Sequence, residues 1–182
     1  MPGVETLIAQ ARTARREHRP EDAKRDLAEA VALCRKSGSR GELAQALAAL
    51  GQIERDLRNF EASRKAYAEA VGLFREARDP RVLAHTVRHL GDVLQEVGDL
   101  AGAEQCYGEA LDLYRRDAFT GPLELANAVR SAAILRDRLG EKDRASSLWA
   151  EARDLYVKAD VQAGVTECTR RIVGQNREDP RL

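Results

Sequence analysis

Two histidines and an aspartate form the sharpest cluster of residues that could do chemistry. His89 and Asp92 follow His85 by four and seven residues, so all three share one face of a helix. Two imidazoles and one carboxylate are the donors of a common type of metal site. However, Arg88 lies among them and would repel a cation, and the chain lacks the H-E-x-x-H pattern. We therefore expect no metal here and interpret the cluster as a patch that contacts a peptide or is simply exposed.

No other set of residues suits catalysis or cofactor binding. The chain has no glycine-rich phosphate loop and no G-x-S-x-G nucleophile elbow. Cys34 and Cys106 fall within the apolar periodicity of helices, which predicts buried structural thiols rather than nucleophiles. We expect a protein that has no enzymatic activity and needs no cofactor.

The composition argues against nucleic acid and membrane as partners. The 182 residues include 30 Lys+Arg and 30 Asp+Glu, so no net charge attracts a polyanion or an anionic bilayer. No apolar run approaches the roughly 18 residues of a membrane-spanning helix, and the N-terminus lacks the apolar stretch of a signal peptide. The three cysteines form no C-x-x-C pair and no disulfide framework. We expect a cytoplasmic protein, and the excess of arginine over lysine favours a bacterial source.

A seven-residue phrase that begins Ala-Glu-Ala or Gly-Glu-Ala occurs four times and fixes the architecture. Its central alanine recurs at intervals of 40, 40 and 42 residues, at Ala30, Ala70, Ala110 and Ala152. A period of this length indicates a stack of small structural units rather than a closed globule. Such a stack offers a long surface, which favours binding over catalysis.

Apolar residues at helical spacing predict two antiparallel helices in each unit and a ninth helix after the last. The turns support this, because Gly98 and Gly140 suit helix ends and prolines 20, 80 and 122 suit helix starts. We expect an all-α, right-handed solenoid forming one domain at 1–174. The predicted helices are 3–17, 20–36, 41–57, 60–77, 80–97, 100–116, 121–139, 142–158 and 161–173. The predicted repeats are about 3–40, 41–80, 81–120 and 121–160.

The last segment is predicted to close the stack. The helix at 161–173 has one apolar face and one polar face, as a terminal cap requires. We expect it to cover Leu135 and Trp149 of the fourth repeat. Residues 175–182 are polar and are predicted to be a disordered tail.

Two glycines predict a close approach between helices. Gly51 and Gly91 lie in the middle of helices, where glycine costs about 1 kcal/mol relative to alanine. A cost repeated at the same position in two units indicates that another helix passes too close for a side chain. We expect Gly91 to lie under the second helix of its own repeat.

These residues resemble the tetratricopeptide repeat family. The resemblance rests on Leu90-Gly91 in a first helix and on Ala103, Tyr107 and Ala110 in the second. It covers roughly residues 3 to 158. Because the period exceeds the family's usual 34 residues, the chain is similar to the longer-repeat variety found in kinesin light chains and bacterial regulatory proteins.

The resemblance implies a concave inner wall, built from the first helix of each repeat, that binds an extended or helical peptide. Mapped onto this sequence, the partner-binding residues are Arg12, Gln52, Arg55, His85, Arg88, His89, Asp92, Gln95, Asn127, Arg130 and Ile134. The lysines and asparagines with which some relatives hold a terminal carboxylate are absent here. Arg88 and Arg130, one repeat apart, predict instead a mildly basic wall that prefers acidic segments. Asn127 could pair with the peptide backbone.

The leading functional hypothesis is a non-enzymatic adaptor or scaffold that binds a peptide or helix of another protein in this groove. One alternative is a structural protein that self-associates through its convex or terminal face. Another is a regulator in which a small peptide changes the pitch of the superhelix. We expect a monomer or a weak homo-oligomer.

Overall fold

The computed structural model describes residues 2–177, which contain nine α-helices and no β-strand. The helices are α1 Val4–Arg16, α2 Pro20–Ser37, α3 Arg40–Asp56, α4 Phe60–Ala77, α5 Pro80–Glu96, α6 Leu100–Arg116, α7 Pro122–Arg138, α8 Lys142–Lys158 and α9 Gln162–Arg177. The first eight agree with the predicted helices to within one residue at each end. In this described part of the chain no helix is long and apolar enough to cross a bilayer.

The ninth helix is longer than predicted. It continues to Arg177, so residues 175–177, which the sequence assigns to the tail, are helical. Residues 178–182 of the predicted tail lie outside the described residues. Cys168 on α9 packs in one buried cluster with Trp149, as a cap requires. Leu135 belongs instead to a cluster with Ala103 and Tyr107, so the expectation that α9 covers it is wrong.

Each helix packs against the next along the chain, which makes an all-α solenoid. The first helices of successive repeats also contact each other, α1 with α3, α3 with α5 and α5 with α7. The second helices α2, α4, α6 and α8 make no such backbone approach to one another within the described residues. The first helices therefore form the tighter, inner side of the curve, here called the inner wall.

The outer side is held by ion pairs that repeat with the phrase. Arginines on α2, α4 and α6 each reach the phrase glutamate of the following repeat, at Arg35–Glu69, Arg75–Glu109 and Arg115–Glu151. The shortest N–O distances in these pairs are 2.8, 2.7 and 2.9 Å. These side chains are exposed, so each pair stabilises the stack by about 1 kcal/mol at most. They account for the glutamate of the second, third and fourth phrases.

The two mid-helix glycines lie where the sequence predicts. A Cβ atom on Gly91 would lie 2.7 Å from Cε1 of Tyr107 and 3.1 Å from Cβ of Cys106, both on α6. A Cβ atom on Gly51 would lie 2.9 Å from the ring of Tyr67 on α4. In the second and third repeats the second helix therefore places a tyrosine ring on the glycine of the first helix. The prediction of a close approach at Gly91 is confirmed.

Replacing Gly91 with leucine should overpack this contact and lower the free energy of unfolding by about 1–3 kcal/mol. The matched control is Gly108→Leu on α6, because a Cβ atom there meets nothing within 4 Å. That control should not destabilise the chain, since leucine favours the helix more than glycine does. Urea denaturation of the three proteins compares the free energies. Equal stability of parent and Gly91→Leu would contradict the packing described here.

Candidate functional site

Three open cavities follow one another along the inner face of α5. The first, the apolar compartment, has a volume of about 350 Å³ and lies between α1, α3 and α5. The second, the polar compartment, has about 470 Å³ and lies between α3, α5 and α7. The third, the Phe119 cavity, has about 270 Å³ and lies where the α6–α7 loop meets α5. His89 lines the first two, while Val82 and His85 line the first and third, so the three are adjacent and are together called the groove.

Small and aromatic side chains shape the apolar compartment. Ala48 and Ala49 on α3 leave the space open. The opposite side carries His85 and His89, whose rings meet edge to face with centroids 4.6 Å apart. Tyr67 stacks on His89 at 5.8 Å between centroids. Because the pocket is apolar and its size falls within the range of small ligand sites, it suits one large apolar side chain.

The polar compartment is organised around the carboxylate of Asp92. Its Oδ1 accepts hydrogen bonds from the hydroxyls of Tyr107 and Ser131, each at 3.0 Å. Its Oδ2 accepts from Arg55 at 3.1 Å and from Arg88 at 3.2 Å. These donors come from α3, α5, α6 and α7, so one carboxylate ties together the first helices of three repeats. Asp92 lies on α5 at the centre of this network, and its side chain is only 21% exposed.

The same network surrounds both ring nitrogens of His89. Nε2 lies 2.8 Å from Nη2 of Arg88 and Nδ1 lies 3.0 Å from Nη1 of Arg55, and a guanidinium can only donate, so both contacts favour the neutral ring. Nδ1 also lies 3.1 Å from Asp92 Oδ2. Burial lowers the pKa of His89, and the hydrogen bond to Asp92 only partly opposes this. His89 is consequently neutral at neutral pH.

Burial also affects the pKa of Asp92, but there the surrounding hydrogen-bond donors and charges have the larger effect. Burial alone would raise the pKa of Asp92. The hydrogen bond from His89 and the charges of Arg88 and Arg55 overcome that effect and lower the pKa to about 2. Asp92 therefore stays ionised at every pH at which the chain would normally be studied.

Both arginines of the predicted basic wall are engaged by carboxylates of the chain itself. Arg88 pairs with Asp92, and its side chain is only 12% exposed. Arg130 donates twice to Glu167 on α9, at 2.8 Å from Nε and 2.8 Å from Nη2. The oxygen of Asn127 is also used, since it accepts from the hydroxyl of Tyr156 at 2.8 Å.

The cavities bring most of the predicted site residues together. Of that set, the apolar compartment is lined by Arg12, Gln52, His85 and His89. The polar compartment is lined by Arg55, Arg88, His89, Asp92, Gln95, Arg130 and Ile134. Asn127 is not among the residues that line any of the three cavities. Within residues 2–177 no group of three or more His, Cys, Asp or Glu side chains is arranged to hold a metal ion.

Four residues that matter for the site were not among the predicted ones. Tyr107 and Ser131 hold Asp92, Glu167 holds Arg130, and Phe119 lines the third cavity. Tyr107 could have been found, because the aromatic position before the phrase recurs in three repeats. The others carry no repeated signal.

The geometry agrees with comparisons to known families. Residues 44–76 and residues 83–116 each match the tetratricopeptide repeat. These stretches fall on α3–α4 and α5–α6, the two helix pairs with the mid-helix glycines. The chain therefore contains tetratricopeptide repeats. A comparison with curated proteins found no match.

Solved structures of other tetratricopeptide-repeat proteins share the fold. The sensor-bearing signal transduction ATPase with numerous domains from Pyrococcus horikoshii aligns with a TM-score of 0.82 at 16% identity, over 93% of this chain and 26% of that one. A putative kinesin light chain from Podospora anserina with nearly identical repeats aligns with a TM-score of 0.73 at 10% identity, over 98% of this chain and 97% of that one. A Rap protein complexed with competence and sporulation factor aligns with a TM-score of 0.79 at 15% identity, over 91% of this chain and 46% of that one.

At these identities the likeness shows the fold alone. The chain spans about a quarter of the length of the Pyrococcus protein and just under half of the Rap protein. The repeats make it a scaffold of the protein-interaction type, a fold that is typically non-catalytic.

The charge of Asp92 should stabilise this tetratricopeptide-repeat protein measurably. Asp92→Asn leaves Arg55 and Arg88 without their carboxylate and should lower the free energy of unfolding by about 3 kcal/mol at pH 7. Because the folded pKa is about 2 and the ordinary value is 3.8, this contribution is present above pH 4 and is lost as the pH falls towards 2. Urea titrations of parent and variant between pH 7 and pH 2 should therefore show a difference that shrinks at acid pH.

The matched control for this experiment is Asp112→Asn, an exposed aspartate on α6. That variant should stay within about 0.5 kcal/mol of the parent. A difference between parent and Asp92→Asn that does not change with pH would show that shape, rather than charge, holds the network.

Proposed function

We propose that the chain is a non-enzymatic adaptor that binds a segment of another protein along the inner wall, next to α5. The observation that carries this proposal is the row of adjacent cavities along α5. Two compartments of about 350 and 470 Å³ meet at His89, and each falls within the usual range of ligand sites. One compartment is apolar and the other is rich in donors, as a surface that recognises peptide side chains and backbone requires.

A passive, solvated inner wall would explain these features less well. Exposed charges need no buried network, yet Asp92 is held by donors from four helices. The network keeps α3, α5 and α7 in fixed relation, so the groove is formed before a partner arrives. A preformed groove loses less conformational entropy on binding than a flexible one.

The preference for acidic segments does not depend on Arg88 and Arg130 in this proposal. A partner's carboxylate would have to displace Asp92 from Arg88 or Glu167 from Arg130. Exchanging one carboxylate for another on the same arginine brings little net gain in binding free energy. Replacing either arginine would moreover disturb the fold, which makes both unsuitable as first tests of binding.

The alternatives differ in the surface they use. A self-associating protein would bind a second copy through its convex or terminal face, and it would not be a monomer. A ligand-responsive regulator would use the same inner wall as the adaptor. The Rap protein among the structural neighbours is complexed with a factor, which is compatible with ligand binding by this fold.

The test is selection of peptides from a random library displayed on phage, using the purified chain. Selected peptides should bind the parent and the convex-face control Ala68→Trp equally. They should bind Ala49→Trp at least tenfold more weakly, because the indole fills the apolar compartment. Gln45→Trp, at an exposed position of the same compartment, serves if Ala49→Trp does not fold.

Circular dichroism checks the fold of each variant, and light scattering measures its mass. Binding that survives both groove substitutions and is lost in Ala68→Trp would move the interface to the convex face. A stable dimer whose mass falls on Ala68→Trp would favour the self-associating protein.

A further inference from the structure

The loop between α6 and α7 is longer than the other loops that join two repeats. In the first, second and fourth repeats, the next helix begins ten residues after the central alanine of the phrase. In the third repeat it begins twelve residues after Ala110, at Pro122. The two extra residues therefore lie in the α6–α7 loop, residues 117–121. They explain why the last interval between phrases is 42 rather than 40 residues.

This loop presents an aromatic side chain to solvent. Phe119 is 79% exposed, more than any other large apolar residue of the described part of the chain. Val82 on α5 is also exposed and lines the Phe119 cavity, and exposed Leu123 lies between two residues that line it, Gly121 and Glu124. Single exposed apolar residues need no explanation, but three at one loop form a patch typical of interaction sites. Val82, Phe119 and Leu123 are here called the edge patch.

The loop is held in one conformation by its own hydrogen bonds. The carboxylate of Asp117 accepts from the backbone N–H of Phe119 at 3.0 Å and lies 3.1 Å from Nε of Arg81. The backbone N–H of Thr120 donates to the carbonyl oxygen of Asp117 at 3.0 Å. The guanidinium of Arg81 lies 5.4 Å from the centre of the Phe119 ring. An aromatic side chain on a loop fixed in this way loses little conformational entropy when a partner covers it.

The surface beside Phe119 carries a cavity and charges of both signs. The Phe119 cavity, of about 270 Å³, has Arg81 on its α5 side and Glu124 on its α7 side. Arg81 is 61% exposed although its Nε lies beside Asp117. Glu124 is exposed, and no cation within residues 2–177 forms an ion pair with it. A protruding ring, a hollow, a cation and an anion therefore lie side by side.

Such a surface is complementary to itself. In a two-fold dimer the same patch supplies both halves of every contact. A second copy, rotated about an axis near Phe119, places its ring against the ring and the cavity of the first copy. The same rotation brings the α5 side of each copy against the α7 side of the other, so that Arg81 faces Glu124 twice. A patch that served a different protein would need only one half of this set.

We propose that the edge patch binds a second copy of this chain in a two-fold dimer, in which the two Phe119 rings meet near the axis and Arg81 of each copy pairs with Glu124 of the other. This inference goes beyond the proposed function, because it assigns self-association to a surface other than the convex and terminal faces. The dimer is weak, since three apolar side chains cover much less than the roughly 800 Å² that each partner of a stable complex buries. A dimer carries two grooves, which would bind a partner with two matching segments more tightly than one groove does.

The experiment is sedimentation equilibrium at protein concentrations from about 5 to about 500 µM, a range centred on an expected dissociation constant of about 100 µM. The parent should change from monomer to dimer over this range. Phe119→Asp and the uncharged Phe119→Ser should weaken the dimer at least about tenfold, because a central aromatic residue contributes most to an interface. The matched control is Val157→Asp on α8, where the replaced side chain is 60% exposed. That variant should dimerise like the parent.

The charge pairing has its own test. Glu124→Arg puts a cation opposite Arg81 of the second copy and should weaken the dimer more than Glu124→Gln does. High salt should weaken the dimer of the parent and strengthen that of Glu124→Arg, because it screens attraction in one and repulsion in the other. Equal dimerisation of parent and Glu124→Arg would contradict the proposed pairing.

Cross-linking tests the two-fold axis. Ala118→Cys places a thiol next to Phe119, and Ala68→Cys places one on the outer surface of α4, where the alanine is also exposed. A short bismaleimide should join two copies of Ala118→Cys but not of Ala68→Cys, and the parent measures the reaction of the native cysteines. Adding Phe119→Asp to Ala118→Cys should abolish the product.

The remaining outcomes would overturn the inference. A parent that stays monomeric throughout, or a dimer that Phe119→Asp does not weaken, would show that the edge patch does not bind a second copy. A dimer that needs Phe119 but gives no cross-link at residue 118 would mean that the ring docks on a different surface. A monomeric parent whose selected peptides lose affinity for Phe119→Asp would assign the patch to a partner protein. The proposed function is decided separately, by Ala49→Trp.

Discussion

The close approach of the two helices within each repeat is the constraint on which the rest of the structure depends. A single repeat cannot bury its apolar face alone, so neighbouring units must pack tightly enough to share one core. The alanines at the centre of the phrase, Ala30, Ala70, Ala110 and Ala152, are fully buried and permit short distances between helices. In the second and third repeats the approach is closer still, because Tyr67 and Tyr107 lie directly on Gly51 and Gly91.

This packing also delivers polar groups to the inner wall. Each ring that covers a first helix carries a donor at its far end. Tyr107 donates to Asp92 at 3.0 Å and Tyr67 donates to Gln52 at 3.5 Å, which are equivalent interactions in neighbouring repeats. The tyrosine before the second phrase and the tyrosine before the third thus belong both to the core and to the groove. A change at that position would alter the fold and the binding surface together.

Most of the fold could be predicted from the sequence, because the signals are local and repeated. Helix ends depend on prolines, glycines and apolar periodicity, which are visible within one repeat. The turns inside the repeats show the limit of this approach. Gly98 and Gly140 have positive φ as expected, but His18 and Arg58 adopt the same left-handed conformation at the equivalent positions. The position in the stack imposes the conformation there, at a cost that glycine would avoid.

The site was predictable only in outline. The repeat assigned the correct face of α3, α5 and α7, and most of the residues named for it line the groove. The pairings were hidden, because they join residues 37 apart at Arg130–Glu167 and 39 apart at Ser131–Asp92. Contacts between repeats depend on how the units stack, and no pattern within one unit records that. An arginine in the sequence therefore indicates a charge, but only the structure shows whether that charge is already neutralised.

The charge along the inner wall follows from the same stacking. Arg12, Gln52 and Asp92 occupy one position in three successive repeats, 40 residues apart. At this position the residue changes from a cation through a neutral amide to a carboxylate along the inner wall. Asp92 accepts from the cations of its surroundings, Arg55 and Arg88, but its single charge neutralises only one of the two. Gln52 cannot neutralise Arg12 in this way, so the wall keeps a net positive charge at its first-repeat end. Two guanidiniums around one carboxylate leave positive charge at the third-repeat end as well, so the residue type at this position changes along the wall while the sign of the local charge does not.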